Sequence, residues 1–128
     1  MSKCVLDASA LLALLNQEPG AERLTDSIME NSIMSAVNVA EVQTKLVDAG
    51  GDPEEAWNYV LGLVSKVEPF IAEHAKIAGT LIAKTKPLGL SLGDRSSLAL
   101  AISLQLPVYT ADKSWSTLKL GVRIHSIR

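Results

Sequence analysis

Residues 3–15, KCVLDASALLALL, give the clearest indication of the fold, because a short apolar run there ends at an acid and is followed by a longer apolar run. Residues 3–7 show little polar alternation, which is typical of a strand buried on both faces. The residues that follow predict a helix that stops near Pro19. Either Asp7 or Ser9 could cap this helix. A buried strand that leads directly into a helix favours an α/β fold.

The rest of the chain alternates between short apolar runs and helical patterns. Further strands are predicted at IMSA, VEPF, VYT and VRIHSI, with helices over AERLTDSIMEN, 37–49, 53–65, 72–86 and RSSLALAISLQ, and a short helix or turn at KSWSTL. This alternation predicts an α/β three-layer sandwich with a mainly parallel central sheet flanked by helices. A chain of 128 residues suits a single domain, so we expect residues 1–128 to form one unit.

Composition limits the class of protein. Almost half of the residues are apolar (48%) but only 4% are aromatic, which excludes a disordered chain and predicts a core of aliphatic side chains. Cys4 is the only cysteine, which excludes an internal disulfide and a thiolate zinc cluster and favours a reducing compartment. No segment reaches the run of about 18 apolar residues that a membrane span needs. We therefore expect a cytoplasmic protein with no membrane partner.

Four acidic residues lie where a predicted element meets a turn or in the early part of a helix: Asp7, Glu41, Asp94 and Asp112. Each has an ordinary structural interpretation. Asp7 and Asp112 could be helix N-caps, and Asp94 fits the acidic position of a capping box. Glu41 lies four residues before Lys45 on its helix, a spacing typical of a solvent-exposed ion pair.

Taken together, the acids indicate a metal site. Asp7 and Asp112 both close a predicted strand, and the carboxyl ends of parallel strands share one edge of the sheet. Carboxylates gathered there would repel one another unless Mg²⁺ or Mn²⁺, which prefer oxygen ligands, compensated them. Because the chain has no His or Cys ligand cluster, the set favours phosphoryl chemistry. Ser9 and Thr110 flank two of the acids and could hydrogen-bond to a carboxylate or a bound water.

Other distinctive side chains have ordinary interpretations. Arg95 is expected to be a solvent-exposed residue of the first helical turn, with a contact to phosphate as the alternative. Trp115 is expected to pack the turn after Asp112, whereas Trp57 and Tyr59 are expected to pack their helix. Neither Trp115 nor the pair of Trp57 and Tyr59 resembles a platform for base stacking.

The segments VLDASALLALL, VAEV, LSLGDRSSLALA and VYTAD, followed by Trp115, resemble the PIN domain of VapC-type toxins from bacterial toxin–antitoxin modules. The resemblance spans nearly the whole chain. It implies a parallel sheet between helices and a Mg²⁺- or Mn²⁺-dependent endoribonuclease acting on structured RNA, such as tRNA or rRNA. A cognate antitoxin protein and a homodimer are also implied. The positions that match the family's metal-binding and catalytic acids are Asp7, Glu41, Asp94 and Asp112, and Ser9 and Thr110 match its accompanying hydroxyls.

One residue departs from the family pattern, and the number of metal ions stays undetermined. Arg95 lies where a small residue is expected, and no further acid joins the four, so the choice between one metal ion and two stays open. The net charge is −2, from 12 basic and 14 acidic residues, so RNA specificity is expected to come from shape and a dimer groove. Six basic residues could border the crevice: Lys84, Lys86, Lys113, Lys119, Arg123 and Arg128.

Two alternatives remain at this point. A small metal-dependent phosphatase or phosphotransferase would use Asp7 as a covalent nucleophile, although Ser9 stands where that chemistry often has a second acid. A catalytically inactive protein-binding module would use the apolar helix 53–65 as a partner surface.

Overall fold

The central layer is a five-stranded sheet in a computed structural model that describes residues 2–128. Its strands are β1 (Cys4–Leu6), β2 (Ser32–Ser35), β3 (Lys66–Glu68), β4 (Val108–Thr110) and β5 (Ile124–Ser126). Their order is β3-β2-β1-β4-β5, and every neighbouring pair is parallel. The predicted α/β class is confirmed, and the sheet of the described residues is parallel throughout. β1 lies at its centre, so the end of β1 is the middle of the carboxyl edge.

The helices lie on both faces of this sheet. They are α1 (Ala8–Leu15), α2 (Asp26–Glu30), α3 (Ala36–Asp48), α4 (Pro53–Leu63), α5 (Ala72–Thr80), α6 (Ile82–Thr85) and α7 (Leu92–Leu104). Short 3₁₀ turns occupy Ala21–Arg23, Lys86–Leu88 and Lys113–Thr117. No helix within residues 2–128 is long and apolar enough to cross a membrane.

Two hydrophobic cores follow from the alternation of side chains along the central strands. Leu6 and Met34 pack into one core with α1, α3 and α4, whereas their neighbours Val5 and Ile33 pack into the other with α7. Successive side chains of a strand point to opposite faces, so two adjacent apolar residues supply both cores. Trp115 is fully buried in the second core, which confirms the packing predicted for it.

Two predicted helices are interrupted. The segment AERLTDSIMEN forms the 3₁₀ turn and then α2, because the Thr25 side chain accepts a hydrogen bond from the amide of Ile28 and starts a new helix. The prediction of one helix over 72–86 is also wrong. Leu81, with ψ of −14°, ends α5, and α6 follows it.

The aromatic residues of α4 do not pack as predicted. Ala56 and Val60, four residues apart, are the buried face of this helix, which lies against α3. The neighbouring positions therefore turn outward, leaving Trp57 37% and Tyr59 59% exposed. The start of the helix is as expected, since the Asp52 side chain accepts a hydrogen bond from the amide of Glu55 at 3.0 Å.

Candidate active site

Asp7 follows the central strand and is the N-cap of α1, whereas Ser9 lies inside that helix. The carboxylate is only 2% exposed. Its Oδ2 accepts hydrogen bonds from the Ser9 hydroxyl at 2.6 Å and the Ser9 amide at 3.3 Å, and the Thr110 hydroxyl lies 3.4 Å away. Its Oδ1 accepts from the Ser97 hydroxyl at 3.0 Å. A buried acid is thus surrounded by neutral hydroxyl groups.

The pKa of Asp7 is raised to about 7, chiefly by burial and also by the negative charge of Asp94, against the lowering effect of the Ser9 and Ser97 hydrogen bonds. No basic side chain offsets this cost. The ion pairs within residues 2–128 are Lys66–Glu68 and Glu18–Arg128, so none of the four candidate acids has a basic partner there. A cation bound beside Asp7 would supply the missing positive charge.

Asp94 lies in the first turn of α7. It forms the predicted capping box: its Oδ2 accepts from the Ser91 amide at 2.9 Å, and the Ser91 hydroxyl accepts from the Asp94 amide at 3.1 Å. Ser97, three residues later, lies with its Oγ 2.9 Å from the Asp94 carbonyl oxygen and 3.0 Å from Asp7. This hydroxyl therefore connects the first turn of α7 to the end of β1.

Glu41 reaches the same region from α3, and its predicted ion pair with Lys45 is absent from the described residues. The amide group of Asn38 instead donates to Glu41 Oε1 at 2.8 Å and to the Gly93 carbonyl at 2.9 Å. The carboxylate also packs directly on Gly93, where a Cβ atom would overlap it. The alternative interpretation of Glu41 as half of a solvent-exposed ion pair is therefore wrong, because α3 packs against α7 and gives Glu41 a partner across the helix contact.

Asp112 follows β4 and is the exposed member of the set. Its Oδ1 accepts from the Ser114 amide at 2.9 Å and the Ser114 hydroxyl at 2.7 Å, so it caps the 3₁₀ turn. Its own amide donates to Thr110 Oγ1 at 3.1 Å, and that oxygen lies 3.2 Å from the Ser9 hydroxyl. The two hydroxyls thus lie between Asp112 and Asp7.

The four acids occupy one edge of the sheet without forming a closed ligand cluster. Asp7 is joined to the turn that carries Asp94, and Glu41 packs on the residue before Asp94. As they stand, Asp94 and Asp112 direct carboxylate oxygens toward their own caps. Within residues 2–128, no three His, Cys, Asp or Glu side chains are arranged to hold a metal ion.

Three residues of this site were missed by the sequence reasoning: Asn38, Gly93 and Ser97. Asn38 precedes Glu41 by three residues and Ser97 follows Asp94 by three, which are the spacings of helical neighbours. That spacing was a usable signal for both. Gly93 had no comparable signal, because its closeness to Glu41 depends on how two helices pack.

Arg95 is neither solvent-exposed nor directed at a phosphate position. Its guanidinium Nη1 donates to the carbonyl oxygen of Ala78 at 2.8 Å, near the carboxyl end of α5. A cation is stabilised at that end of a helix by the helix dipole. Arg95 therefore links α7 to α5 by a hydrogen bond. Both interpretations made from the sequence, a solvent-exposed residue and a contact to phosphate, are wrong.

Comparison with known proteins assigns the fold to a family. Three solved structures with this fold are a toxin–antitoxin complex from Klebsiella pneumoniae (16% identity, TM-score 0.77, 98% of each chain covered), a DNA-bound VapBC from Salmonella typhimurium (19%, 0.74, 100% of each), and a sarcin–ricin loop cleaving VapC toxin from Mycobacterium tuberculosis (22%, 0.75, 94% of this chain and 99% of that one). No curated protein sequence matches significantly. The family model for the PIN domain matches residues 4–119, nearly the whole chain, and the protein therefore belongs to the PIN domain family.

Proposed function

We propose that this protein is a Mg²⁺- or Mn²⁺-dependent endoribonuclease and the toxin of a type II toxin–antitoxin module, with residues 1–128 forming a single PIN domain. The observation that carries the proposal is the environment of Asp7. Its carboxylate is buried at the centre of the carboxyl edge, has no basic partner among the described residues, and contacts the turn that carries Asp94. Burying an acid in this way is costly unless a ligand makes use of it.

The types of oxygen donor near Asp7 suit a hard divalent cation, although their present directions do not form a closed ligand set. Asp7, Glu41, Asp94 and Asp112 offer carboxylate oxygens, the donors that Mg²⁺ and Mn²⁺ prefer. Asn38 Oδ1, beside Glu41, is buried and has no hydrogen-bond partner. We propose that the four acids hold the cation. When bound, the cation supplies an activated water and charge stabilisation at the cleaved phosphodiester.

The chain's own residues would prepare the site for this chemistry. Ser9 and Thr110 donate to Asp7 and fix the direction of its carboxylate. Asn38 fixes Glu41 against α7. Because burial raises its pKa to about 7, Asp7 is protonated more readily near neutral pH than an ordinary aspartate. Asp7 is thus poised to lose that proton when a cation binds.

The substrate and partners are proposed from the relatives. One solved relative is described as cleaving the sarcin–ricin loop, which supports a structured RNA, such as tRNA or rRNA, as the substrate. Others are complexes of toxin with antitoxin, some bound to DNA, which supports a cognate antitoxin as the protein partner. We also propose a homodimer as the active assembly and the cytoplasm as its location.

A direct test is cleavage of total cellular RNA by the purified protein with Mg²⁺ or with excess EDTA. Asp7→Asn and Asp94→Asn should each remove Mg²⁺-dependent cleavage. Asp48→Asn is the matched control, because Asp48 is an exposed acid at the end of α3. Undiminished cleavage in EDTA or in either site variant would disprove the proposal. Binding of a protein partner without any turnover would favour the inactive module instead.

The phosphotransferase alternative makes a different prediction for Asp7. It requires the carboxylate to attack phosphorus, yet both oxygens already accept hydrogen bonds from hydroxyls and the residue is buried. Trapping of an aspartyl-phosphate at Asp7 would support this alternative over the nuclease.

A further inference from the structure

An open groove runs along the surface from the candidate active site. Its inner half is lined by Ser9, Ala111 and Asp112, and its outer half by Gly20 and Arg23. Three charged residues border both halves: Glu18, Lys113 and Arg128. Because the halves share these residues, they form one continuous path that begins beside Asp112.

The floor of the groove is fixed by backbone contacts. The Ile127 amide donates to the Thr110 carbonyl at 2.9 Å, so the segment after β5 stays attached to β4. Gly20 packs directly on the backbone of Ile127, where a Cβ atom would overlap the carbonyl oxygen. Arg23 Nη1 donates to the Ser126 carbonyl at 3.4 Å. Arg128 therefore follows a segment that is hydrogen-bonded to β4 and packed on Gly20.

The groove is lined by three acidic residues, Glu18, Glu22 and Asp112, and three basic ones, Arg23, Lys113 and Arg128, and one of these acids is in an ion pair within the described residues. Glu18 forms an ion pair with Arg128, and the side chains of both are 36% exposed. Lys113 has no carboxylate partner within residues 2–128. Asp112, at the inner end, is a cation ligand in the proposed function. A partly exposed ion pair is weak, so a phosphate, which Arg binds with two hydrogen bonds, can displace the carboxylate.

We propose that this groove binds the phosphate backbone of the RNA strand beside the cleaved bond, with Lys113 and Arg128 as phosphate contacts and Glu18 as an internal competitor for Arg128. The proposal rests on the proposed function, because it takes RNA to be the substrate. Before RNA binds, Glu18 holds the Arg128 guanidinium in the groove. RNA then exchanges with Glu18, so Glu18 sets the affinity without touching the nucleic acid.

The test measures the binding of a fluorescein-labelled oligouridylate by fluorescence anisotropy in the cleavage-defective Asp7→Asn protein. Oligouridylate has little structure and reports mainly contacts to the backbone. Arg128→Ala and Lys113→Ala should each raise the Kd about fivefold and lower the slope of log affinity against log salt concentration by about 0.7. Glu18→Gln should lower the Kd about threefold, because it frees Arg128. Lys76→Ala, an exposed lysine on α5, is the control and should change neither quantity.

The proposal predicts a higher Kd for Arg128→Ala and Lys113→Ala but a lower Kd for Glu18→Gln, so the measurements can contradict it in either direction. Equal Kd values for the Arg128, Lys113 and Lys76 variants, or no measurable binding at low salt, would overturn it. Weaker binding by Glu18→Gln would overturn the role of Glu18. Failure of the nuclease proposal is distinguishable: the protein would then cleave no RNA, while the binding differences would persist. Conversely, normal RNA cleavage together with equal Kd values for all the variants would reject the role of the groove and leave the nuclease proposal in place.

Discussion

The Ser97 hydroxyl oxygen lies 3.0 Å from Asp7 Oδ1 and 2.9 Å from the carbonyl oxygen of Asp94, and it thereby joins two parts of the chain 90 positions apart. Asp7 ends the central strand, and Asp94 lies in the first turn of a helix on one face of the sheet. A single small side chain therefore connects the end of the central strand to the first turn of α7. The hydroxyl is fully buried and supplies one of the few polar contacts that stabilise the ionised form of Asp7.

Replacement of this hydroxyl tests its role. In Ser97→Ala, the free energy of unfolding should fall by about 1 kcal/mol, the usual contribution of one hydrogen bond. The pKa of Asp7 should rise further, because Ser97 lowers it. Urea denaturation measures the first effect, and the pH dependence of stability in EDTA measures the second. Ser103→Ala, at the other end of α7, should leave the pKa of Asp7 unchanged. The same pH profile in both variants would contradict this role.

The raised pKa of Asp7 predicts how the metal-free protein responds to pH. Because the folded-state pKa of about 7 lies above the ordinary aspartate value of 3.8, the unfolded chain loses its proton first as the pH rises. The stability contribution of the protonated acid is complete below pH 3.8 and is lost as the pH rises to about 7. The loss should reach at most about 4 kcal/mol. In EDTA at pH 8, Asp7→Asn should therefore be more stable than the natural protein, with a much smaller difference at pH 4. Equal or lower stability of the variant at pH 8 would contradict the shift.

Much of the fold could be predicted because its signals are local. Short apolar runs identified each central strand, and the pairing of Ser91 with Asp94 identified the start of α7. The edge positions of Asp7 and Asp112 followed from the same signals, because both acids come directly after strands. These inferences required no knowledge of which helices touch.

What could not be predicted depends on contacts between distant elements. Glu41 has a suitable local partner in Lys45, and only the packing of α3 on α7 replaces that partner with Asn38 and Gly93. The sequence around Arg95 does not indicate its hydrogen bond to the carbonyl oxygen of Ala78 in α5. Similarly, the exposure of Trp57 follows from Ala56 and Val60 being the buried face of α4, which lies against α3. Helical periodicity identifies a face of a helix, but not what covers it.

Metal binding should stabilise the native protein. A cation that binds only the folded state adds about 2.7 kcal/mol at a concentration one hundred times its Kd. We therefore expect millimolar Mg²⁺ to raise the Tm of the natural protein at pH 8, and to raise it less at pH 5.5, where Asp7 is largely protonated. Asp94→Asn should lose the shift and Asp48→Asn should keep it. An equal shift in all three proteins would indicate nonspecific binding and would count against the site.

Gly93 provides a test of the position of Glu41. Its φ lies outside the left-handed region, so alanine suits its backbone, and the expected effect comes from the new Cβ atom meeting the Glu41 carboxylate. Gly93→Ala should reduce RNA cleavage by about 10- to 100-fold and weaken the Mg²⁺-induced rise in Tm, because small displacements of a site group are costly. Gly62→Ala is the matched control, since a Cβ there meets no atom within 4 Å. That control should gain up to about 1 kcal/mol of stability from its better helix propensity and keep full activity. Full cleavage by Gly93→Ala, measured in parallel, would show that Glu41 can leave this contact without consequence and would remove it from the proposed ligand set.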